Sequence, residues 1–271
     1  MYEFYFGNKS EILKNKKDYL IFLKHLLPRW LNSIPDFEYL AIWDSLNKIK
    51  KKSPTIIETG IGSSSLAMLF YVILNKGKLI SWDINQNKGS ELKLIMLETI
   101  CKHLSVNLYD YWTFIPFNSL DAHLGIPVLK DLKLKPSYGF FDSYHTSEHL
   151  IDEIELFCNQ ADKNFFIAID DSYYTKKNYN YSYVNMIRKK LGLNEVKEPK
   201  SNVGETFYEI VEKLLLKKYS NFYKVKDSFK KNYNKDVFYE YYNSDRKIMH
   251  KLKMENLRNK QHRFDVWQIN K

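Results

Sequence analysis

The sequence predicts a doubly wound α/β fold with a mainly parallel sheet, an N-terminal helical addition and an irregular C-terminal extension. Short apolar runs alternate with helical segments between residues 55 and 171, and this alternation is typical of parallel β-α-β units. Helical periodicity precedes it, and past residue 172 the alternation becomes less clear. We therefore expect an N-terminal helical segment, 1–52, and a domain spanning 53–271 with its core at 55–171.

Each predicted element follows from local pattern. In the N-terminal segment, apolar residues recur at helical spacing on both sides of Pro28 and Pro35, and a proline precedes the first strand. Strands are predicted at 55–58, 78–84, 111–117, 137–141 and 164–169, where β-branched and aromatic residues cluster. Helices are predicted at 63–74, 91–103 and 147–161 between them. In the C-terminal region the pattern predicts helices at 181–191, 205–219 and 245–259 and strands at 221–227, 236–242 and 263–269. The sequence does not indicate how these strands pair.

Composition excludes several classes of protein. Among 271 residues no uncharged apolar stretch reaches the length of a membrane-spanning helix, and the N-terminus lacks a secretory pattern, so we expect a cytoplasmic chain without membrane contact. The formal charge is +10, from 42 basic and 32 acidic residues, but the lysines are scattered. This charge is weak evidence for a nucleic-acid partner, which stays open, as does a homo-oligomer.

A glycine-containing turn follows the first predicted strand. Gly60 and Gly62 allow close backbone approach to a ligand at a helix N-terminus, and Asp83 ends the second strand 23 residues after Gly60, where a carboxylate can bind ribose hydroxyls. The sequence motif that binds the pyrophosphate of a dinucleotide requires Gly or Ala at the position where this chain has Ser65. In addition, the carboxylate of Glu58 would repel a pyrophosphate. These residues favour an adenosyl cofactor; an ordinary turn that binds nothing is the alternative.

Acidic residues follow the fourth and fifth predicted strands. Asp142, Asp170 and Asp171 are expected at one edge of the sheet, where three carboxylates repel one another unless a cation such as Mg²⁺ intervenes. The alternative is that one aspartate caps a helix and another faces solvent. His145 is placed to accept a proton from a substrate hydroxyl, or merely leads into the next helix, whereas His149 is expected on the helix surface.

In order along the chain, these segments resemble class I S-adenosylmethionine-dependent methyltransferases. The matching pieces are Glu58-Thr-Gly-Ile-Gly62, Ser81-Trp-Asp83, Asn118-Ser119, Phe141-Asp-Ser-Tyr-His145 with the acidic helix after it, and Ile169-Asp-Asp171. The pattern is similar to the small-molecule O-methyltransferases, which include catechol O-methyltransferase-like enzymes, macrolide-sugar O-methyltransferases and cephalosporin-hydroxylase-like proteins. The resemblance covers residues 55–171 and implies a Rossmann-like fold.

The resemblance also implies a role for each site residue. Gly60 and Gly62 would line the methionine part of the cofactor, Asp83 would bind its ribose, and Ser119 would lie near its adenine. The predicted cofactor-binding residues are Glu58, Gly60, Gly62, Asp83, Ser119 and Asp142, the predicted metal ligands are Asp142, Asp170 and Asp171, and the predicted general base is His145.

The expected activity is transfer of a methyl group from S-adenosylmethionine to a hydroxyl of a small molecule, either a sugar or a phenol, with assistance from Mg²⁺. The chain departs from the family pattern at Ser64, Asn118, Ser143 and Lys163-Asn164. A nucleic-acid methyltransferase and a non-catalytic nucleotide-binding relative therefore stay open as alternatives.

Overall fold

A computed structural model of the chain describes residues 8–28, 30–32, 34, 36–144, 146–172, 185, 189, 192, 194–195, 205–225 and 264–271. Within these residues seven strands form one sheet. They are β1 Thr55–Thr59, β2 Lys78–Trp82, β3 Trp112–Ile115, β4 Tyr138–Phe141, β5 Asn164–Ile169, β6 Phe222–Lys224 and β7 Asp265–Asn270. The strand order is β3-β2-β1-β4-β5-β7-β6.

The sheet is mainly parallel, as the sequence predicts. Strands β1 to β5 run parallel to one another, whereas β7 is antiparallel to both β5 and β6. Strands β1 and β4 are neighbours at the centre, in a register that opposes Thr59 to Phe141. The direction of winding reverses between these two strands, and this reversal leaves a crevice at their carboxyl ends, where open α/β sheets bind ligands.

Helices cover both faces of the sheet. They are α1 Lys9–Lys14, α2 Lys16–Leu26, α3 Asp36–Leu46, α4 Ser63–Leu74, α5 Gln86–Met96, α6 Lys102–Leu104, α7 Val128–Asp131, α8 Ser147–Gln160 and α9 Phe207–Lys218, with a π-helical turn at Leu97–Cys101. Helix α4 has the predicted bounds. Helix α5 begins five residues before its predicted start at 91, because the Asn85 side chain accepts hydrogen bonds from the N–H groups of Asn87 and Lys88 and caps it there.

The N-terminal helices share a core with the sheet. Trp43 of α3 lies 5.5 Å from the ring of Phe70 in α4, and both side chains belong to the same buried cluster as Ile56 of β1. A second buried cluster fills the opposite face beneath α8 and α9. All residues of β1 are buried, as expected for a central parallel strand covered on both sides.

Three of the six C-terminal elements predicted from sequence are described. Helix α9 and strands β6 and β7 correspond to the predicted segments 205–219, 221–227 and 263–269. The predicted strand at 236–242 and helix at 245–259 lie outside the described residues, as does most of the predicted helix at 181–191. In the described part of the chain, no helix combines the length and the apolar character required to cross a membrane.

Candidate active site

The glycine turn after β1 lies against the end of β4. Gly60 has a φ of +80°, and its N–H donates to the carbonyl of Trp82 at 2.8 Å. A Cβ at this position would lie 1.9 Å from the carbonyl oxygen of Asp142, whose own N–H donates to Thr59 at 2.9 Å. Only glycine permits both the left-handed backbone and this close approach. The turn and Asp142 therefore lie together at the winding reversal.

A cavity of about 440 Å³ opens beside this contact. It is lined by Gly60, Trp82, Asp83, Ile84, Lys88, Phe117, Asn118, Ser119, Asp142, Ser143, Tyr144 and His149. Four predicted cofactor-binding residues, Gly60, Asp83, Ser119 and Asp142, are among these lining residues, whereas Glu58 and Gly62 are not. The predicted general base, His145, lies outside the described residues.

Asp83 is fixed at the wall of the cavity by hydrogen bonds from the backbone. Its Oδ2 accepts from the N–H of Ile61 at 3.1 Å, and its Oδ1 accepts from the N–H of Asn85 at 2.8 Å. The ammonium of Lys88 lies 3.4 Å from Oδ2, and the Asp83 side chain is 10% exposed. Each carboxylate oxygen can accept more than one hydrogen bond, so Asp83 retains capacity for a ligand hydroxyl.

The N-terminus of α4 has little donor capacity left for an anion. The N–H of Gly62 donates to the Ser65 hydroxyl at 3.2 Å. The N–H of Ser63 donates at 3.0 Å to the carbonyl of Leu31, in the connection between α2 and α3. Free N–H groups in the first turn are what a helix uses to bind phosphate. Since protein oxygens occupy these groups here, the turn is unsuited to a pyrophosphate.

Glu58 lies buried beneath the glycine turn. Its Oε1 accepts from the Ser81 hydroxyl at 2.6 Å, its Oε2 accepts from the Ser64 hydroxyl at 3.4 Å, and the side chain is fully buried. Burial raises the pKa of Glu58 to about 8, against the opposing effect of these hydrogen bonds. The raised pKa favours the protonated form of Glu58 at neutral pH, and its contact with a ligand stays a prediction.

The predicted magnesium ligands do not form a metal centre within the described residues. Asp142 and Asp170 border a space of only about 10 Å³, and Asp171, with a φ of 50°, is not among the residues lining that space. In the described part of the chain, no group of three His, Cys, Asp or Glu side chains is placed to hold a metal ion. The residues present do not fit a three-carboxylate site, and Mg²⁺ stays a prediction from sequence.

A buried carboxylate joins the two loops that border the cavity. Glu153 of α8 is 1% exposed, and its Oε1 accepts from the hydroxyl of Ser119, after β3, and at 2.8 Å from that of Ser143, after β4. The same Oε1 lies 3.2 Å from Nε2 of His149, whose side chain is 15% exposed. The expectation that His149 lies on the helix surface is therefore wrong.

The sequence contained a signal for this pair. His149 and Glu153 stand four residues apart, so they share one face of α8, and the helix begins there because Thr146 caps it by accepting from the N–H of His149 at 3.4 Å. The spacing was visible, but which face of the helix meets the cavity depends on how α8 packs against the sheet.

A larger cavity of about 990 Å³ lies at the opposite edge of the sheet. It is lined by Lys48, Ile49, Lys50, Lys51, Asp162, Lys163, Asn164, Phe166, Tyr223, Lys224, Val225 and Gln268, none of which is a predicted site residue. Asn164 is the first residue of β5, so this cavity lies at the amino end of a parallel strand. Although this cavity is larger, it is the less suitable candidate for the active site, because open α/β sheets bind ligands at the carboxyl ends of their strands.

No family model matches the sequence, and no curated protein is similar to it. The structure is similar to the SAH-bound Podospora anserina methyltransferase PaMTH1, at a TM-score of 0.48 and 13% identity over 78% of this chain and 82% of that chain. It is similar to apo CalS11, a TDP-rhamnose 3'-O-methyltransferase in calicheamicin biosynthesis. The TM-score is 0.45 and the sequence identity is 14%, over 70% of this chain and 89% of that chain. It is also similar to MycE, a methyltransferase of mycinamycin biosynthesis in complex with Mg, SAH and mycinamycin VI. The TM-score is 0.36 and the sequence identity is 13%, over 50% of this chain and 32% of that chain. The sheet order itself confirms the predicted Rossmann-like α/β fold.

Proposed function

We propose that the chain is an S-adenosylmethionine-dependent methyltransferase that acts on a hydroxyl of a small molecule, a sugar or a phenol. One observation carries this proposal: Gly60, Asp83, Ser119 and Asp142 line a single cavity at the winding reversal of the sheet. The cavity volume of about 440 Å³ lies within the range of small-molecule sites. The order of these residues along the chain follows the methyltransferase pattern.

The glycine turn favours an adenosyl cofactor over a dinucleotide. Both ligands carry a ribose that Asp83 can bind, but only a dinucleotide needs several free N–H groups for a pyrophosphate. The N–H groups of Ile61, Gly62 and Ser63 donate to Asp83, Ser65 and Leu31 respectively. A ligand without phosphates avoids breaking these hydrogen bonds.

The chemistry required of the protein is alignment and removal of one proton. When bound, S-adenosylmethionine supplies a methyl group from its sulfonium by in-line displacement to the substrate oxygen. Asp83 accepts hydrogen bonds from the ribose hydroxyls, and Gly60 allows the turn to lie directly against Asp142 at the wall of the cavity. The proton of the substrate hydroxyl is assigned to His145, as the resemblance implies.

Calorimetry with S-adenosylmethionine tests the cofactor assignment. We expect micromolar binding to the wild type and loss of most of this affinity in Asp83→Ala, because the ribose hydroxyls lose their acceptor. Asp131→Ala is the matched control, since this exposed aspartate lies on α7 and does not line the cavity. Equal affinities for wild type and Asp83→Ala would remove the ribose assignment.

Turnover distinguishes an enzyme from a non-catalytic relative. The wild type is incubated with S-adenosylmethionine and a panel of sugars and phenols, with and without Mg²⁺, and methylated product is measured. We expect product with at least one hydroxyl substrate. Cofactor binding without product across the whole panel would favour a non-catalytic nucleotide-binding protein.

One observation favours a nucleic-acid substrate as the second candidate. Lys48, Lys50 and Lys163 border the larger cavity, and in the described part of the chain none of them forms an ion pair. Phe166, Gln268 and Tyr223 lie in register across β5, β7 and β6 and line the same cavity. Phe166 is buried, whereas Tyr223 is 51% exposed, and lysines near an exposed aromatic ring are typical of single-strand binding. A salt-dependent gel shift that disappears when the three lysines are changed to Glu would support this candidate.

A further inference from the structure

Glu153 determines which atom of His149 can meet a ligand. A carboxylate oxygen only accepts hydrogen bonds, so the Nε2 of His149, 3.2 Å from Glu153 Oε1, carries the proton that is donated there. The neutral imidazole then has an unprotonated Nδ1, which is a hydrogen-bond acceptor. Because His149 lines the cavity, Nδ1 is the ring nitrogen left for a ligand.

Three other polar side chains that line the cavity also form hydrogen bonds within the protein. The hydroxyls of Ser119 and Ser143 both donate to Glu153. The side-chain oxygen of Asn118 accepts from the N–H of Leu120 at 3.0 Å. Glu153 thus receives the protons of both serine hydroxyls and also fixes the tautomer of His149, so His149 can discriminate between ligands by accepting a hydrogen bond.

The position of His149 assigns it to the nucleobase. Its Nε2 lies 3.4 Å from the Ser119 hydroxyl, on the loop after β3. In the proposed function, Asp83 binds the ribose and Gly60 lies at the methionine end of the cofactor. Ile84 and Phe117, which are 76% and 44% exposed, also line the cavity and offer apolar surface to a flat ring. In the proposed orientation of the cofactor, with its ribose at Asp83 and its adenine near Ser119, the purine lies on the side of the cavity where His149 is found.

We propose that Nδ1 of His149 accepts a hydrogen bond from the exocyclic amine of adenine, and that Glu153 positions it for this by holding the proton on Nε2. This inference rests on the proposed adenosyl cofactor. A 6-oxo purine presents a carbonyl oxygen where adenine presents an N–H donor, so two acceptors would face each other. The site therefore selects the amino purine, with His149 as the residue that determines specificity and Glu153 as a positioning residue.

The test compares S-adenosylhomocysteine with its deaminated counterpart, S-inosylhomocysteine, by calorimetry. We expect the wild type to bind the adenosyl compound at least about tenfold more tightly, the cost of one unmade hydrogen bond at a buried group. In His149→Phe this ratio falls to about 1. His123→Phe is the matched control, because this exposed histidine lies outside the cavity and should keep the wild-type ratio.

Glu153→Gln provides a second variant that retains shape. An amide can donate to Nε2 as well as accept from it, so the proton is no longer confined to Nε2, and we expect an intermediate ratio with an unfolding temperature close to wild type. A merely structural role for Glu153 would not change this ratio. The inference is overturned if the wild type binds both compounds equally, or if His149→Phe keeps the wild-type ratio, and either result leaves the adenosyl cofactor standing. If the wild type binds neither compound, both the inference and the proposed function are overturned.

Discussion

Gly60 and Asp142 are in backbone contact, although they are 82 positions apart along the chain. The contact joins the turn after β1 to the end of β4, at the place where the direction of winding reverses. A shared cleft for a cofactor and a substrate requires that these two residues lie on the same edge. Their contact therefore meets a condition on which the enzyme assignment depends.

Gly60→Ala is expected to destabilise the protein and abolish cofactor binding. The left-handed backbone costs about 1–2 kcal/mol for alanine. The 1.9 Å approach to the Asp142 oxygen forces a further displacement, so we expect the free energy of unfolding to fall by about 3 kcal/mol or more. Urea denaturation measures the loss. Gly192→Ala is the control, because Gly192 has a φ of +68° with nothing within 4 Å, and should lose only about 1 kcal/mol. Equal losses would show that the contact contributes nothing.

Glu58 should make stability depend on pH. Burial raises its folded-state pKa to about 8, above the value of about 4.3 for an exposed glutamate. The contribution of Glu58 to the free energy of unfolding is therefore fully present below its pKa in the unfolded state. This contribution is lost as the pH rises to about 8, at up to about 1.4 kcal/mol per pH unit. Glu58→Gln, which resembles the protonated acid, should lose less stability than wild type between pH 5.5 and 8.5. Urea midpoints at the two pH values measure this, and identical changes in both proteins would contradict a buried neutral Glu58.

Part of the fold could be predicted from the sequence, because buried elements show a local pattern of apolar residues. Strand β5 and helix α4 were predicted with the observed bounds, since a run of apolar residues defines the strand and the turn at Gly62 precedes the helix. The start of α5 was predicted too late, because a polar first turn capped by Asn85 shows no apolar periodicity. The pairing of β7 between β5 and β6 depends on contacts distant in sequence, which no local pattern specifies.

The site was predictable only as far as strand ends determine it. Gly60, Asp83 and Asp142 follow parallel strands directly, so strand order alone brings them to one edge. Glu58 also belongs to a parallel strand, but its burial beneath the turn depends on the serines packed around it. The role of His149 depends on which face of α8 meets the loops, and sequence spacing does not fix this orientation.

Lys88 should weaken the binding of a cationic cofactor. Its ammonium lines the cavity 3.4 Å from Asp83 Oδ2, where it competes for the carboxylate and repels a sulfonium. We expect Lys88→Met to bind S-adenosylmethionine about two- to fivefold more tightly, with a smaller change for S-adenosylhomocysteine, which lacks the sulfonium charge, since partly exposed charges interact weakly. Lys93→Met is the control on the same helix, because this ammonium lies over the Tyr109 ring at 4.7 Å instead. Weaker binding of S-adenosylmethionine by Lys88→Met would mean that Lys88 holds Asp83 in position.

Glu153 should stabilise the protein far more than its neighbour on the same helix, Glu155. Replacing Glu153 with alanine leaves the hydroxyls of Ser119 and Ser143 and the imidazole of His149 without their shared acceptor in a buried space. Unsatisfied buried donors cost about 1–3 kcal/mol each when water cannot reach them, and relaxation of the loops recovers part of this. We therefore expect Glu153→Ala to lower the free energy of unfolding by about 2–4 kcal/mol.

Glu155→Ala is the matched control. Glu155 is 43% exposed and forms an ion pair with Lys218 at 3.3 Å, and such surface pairs contribute at most about 1 kcal/mol. Urea denaturation of both variants measures the difference, and calorimetry with S-adenosylhomocysteine measures whether the loops still form the cavity. Since Glu153 joins the loop after β3 to the loop after β4, its loss should weaken ligand binding as well as folding, whereas the loss of Glu155 should change neither. A Glu153→Ala protein as stable as Glu155→Ala would show that water replaces the carboxylate and that the loops hold their positions without it.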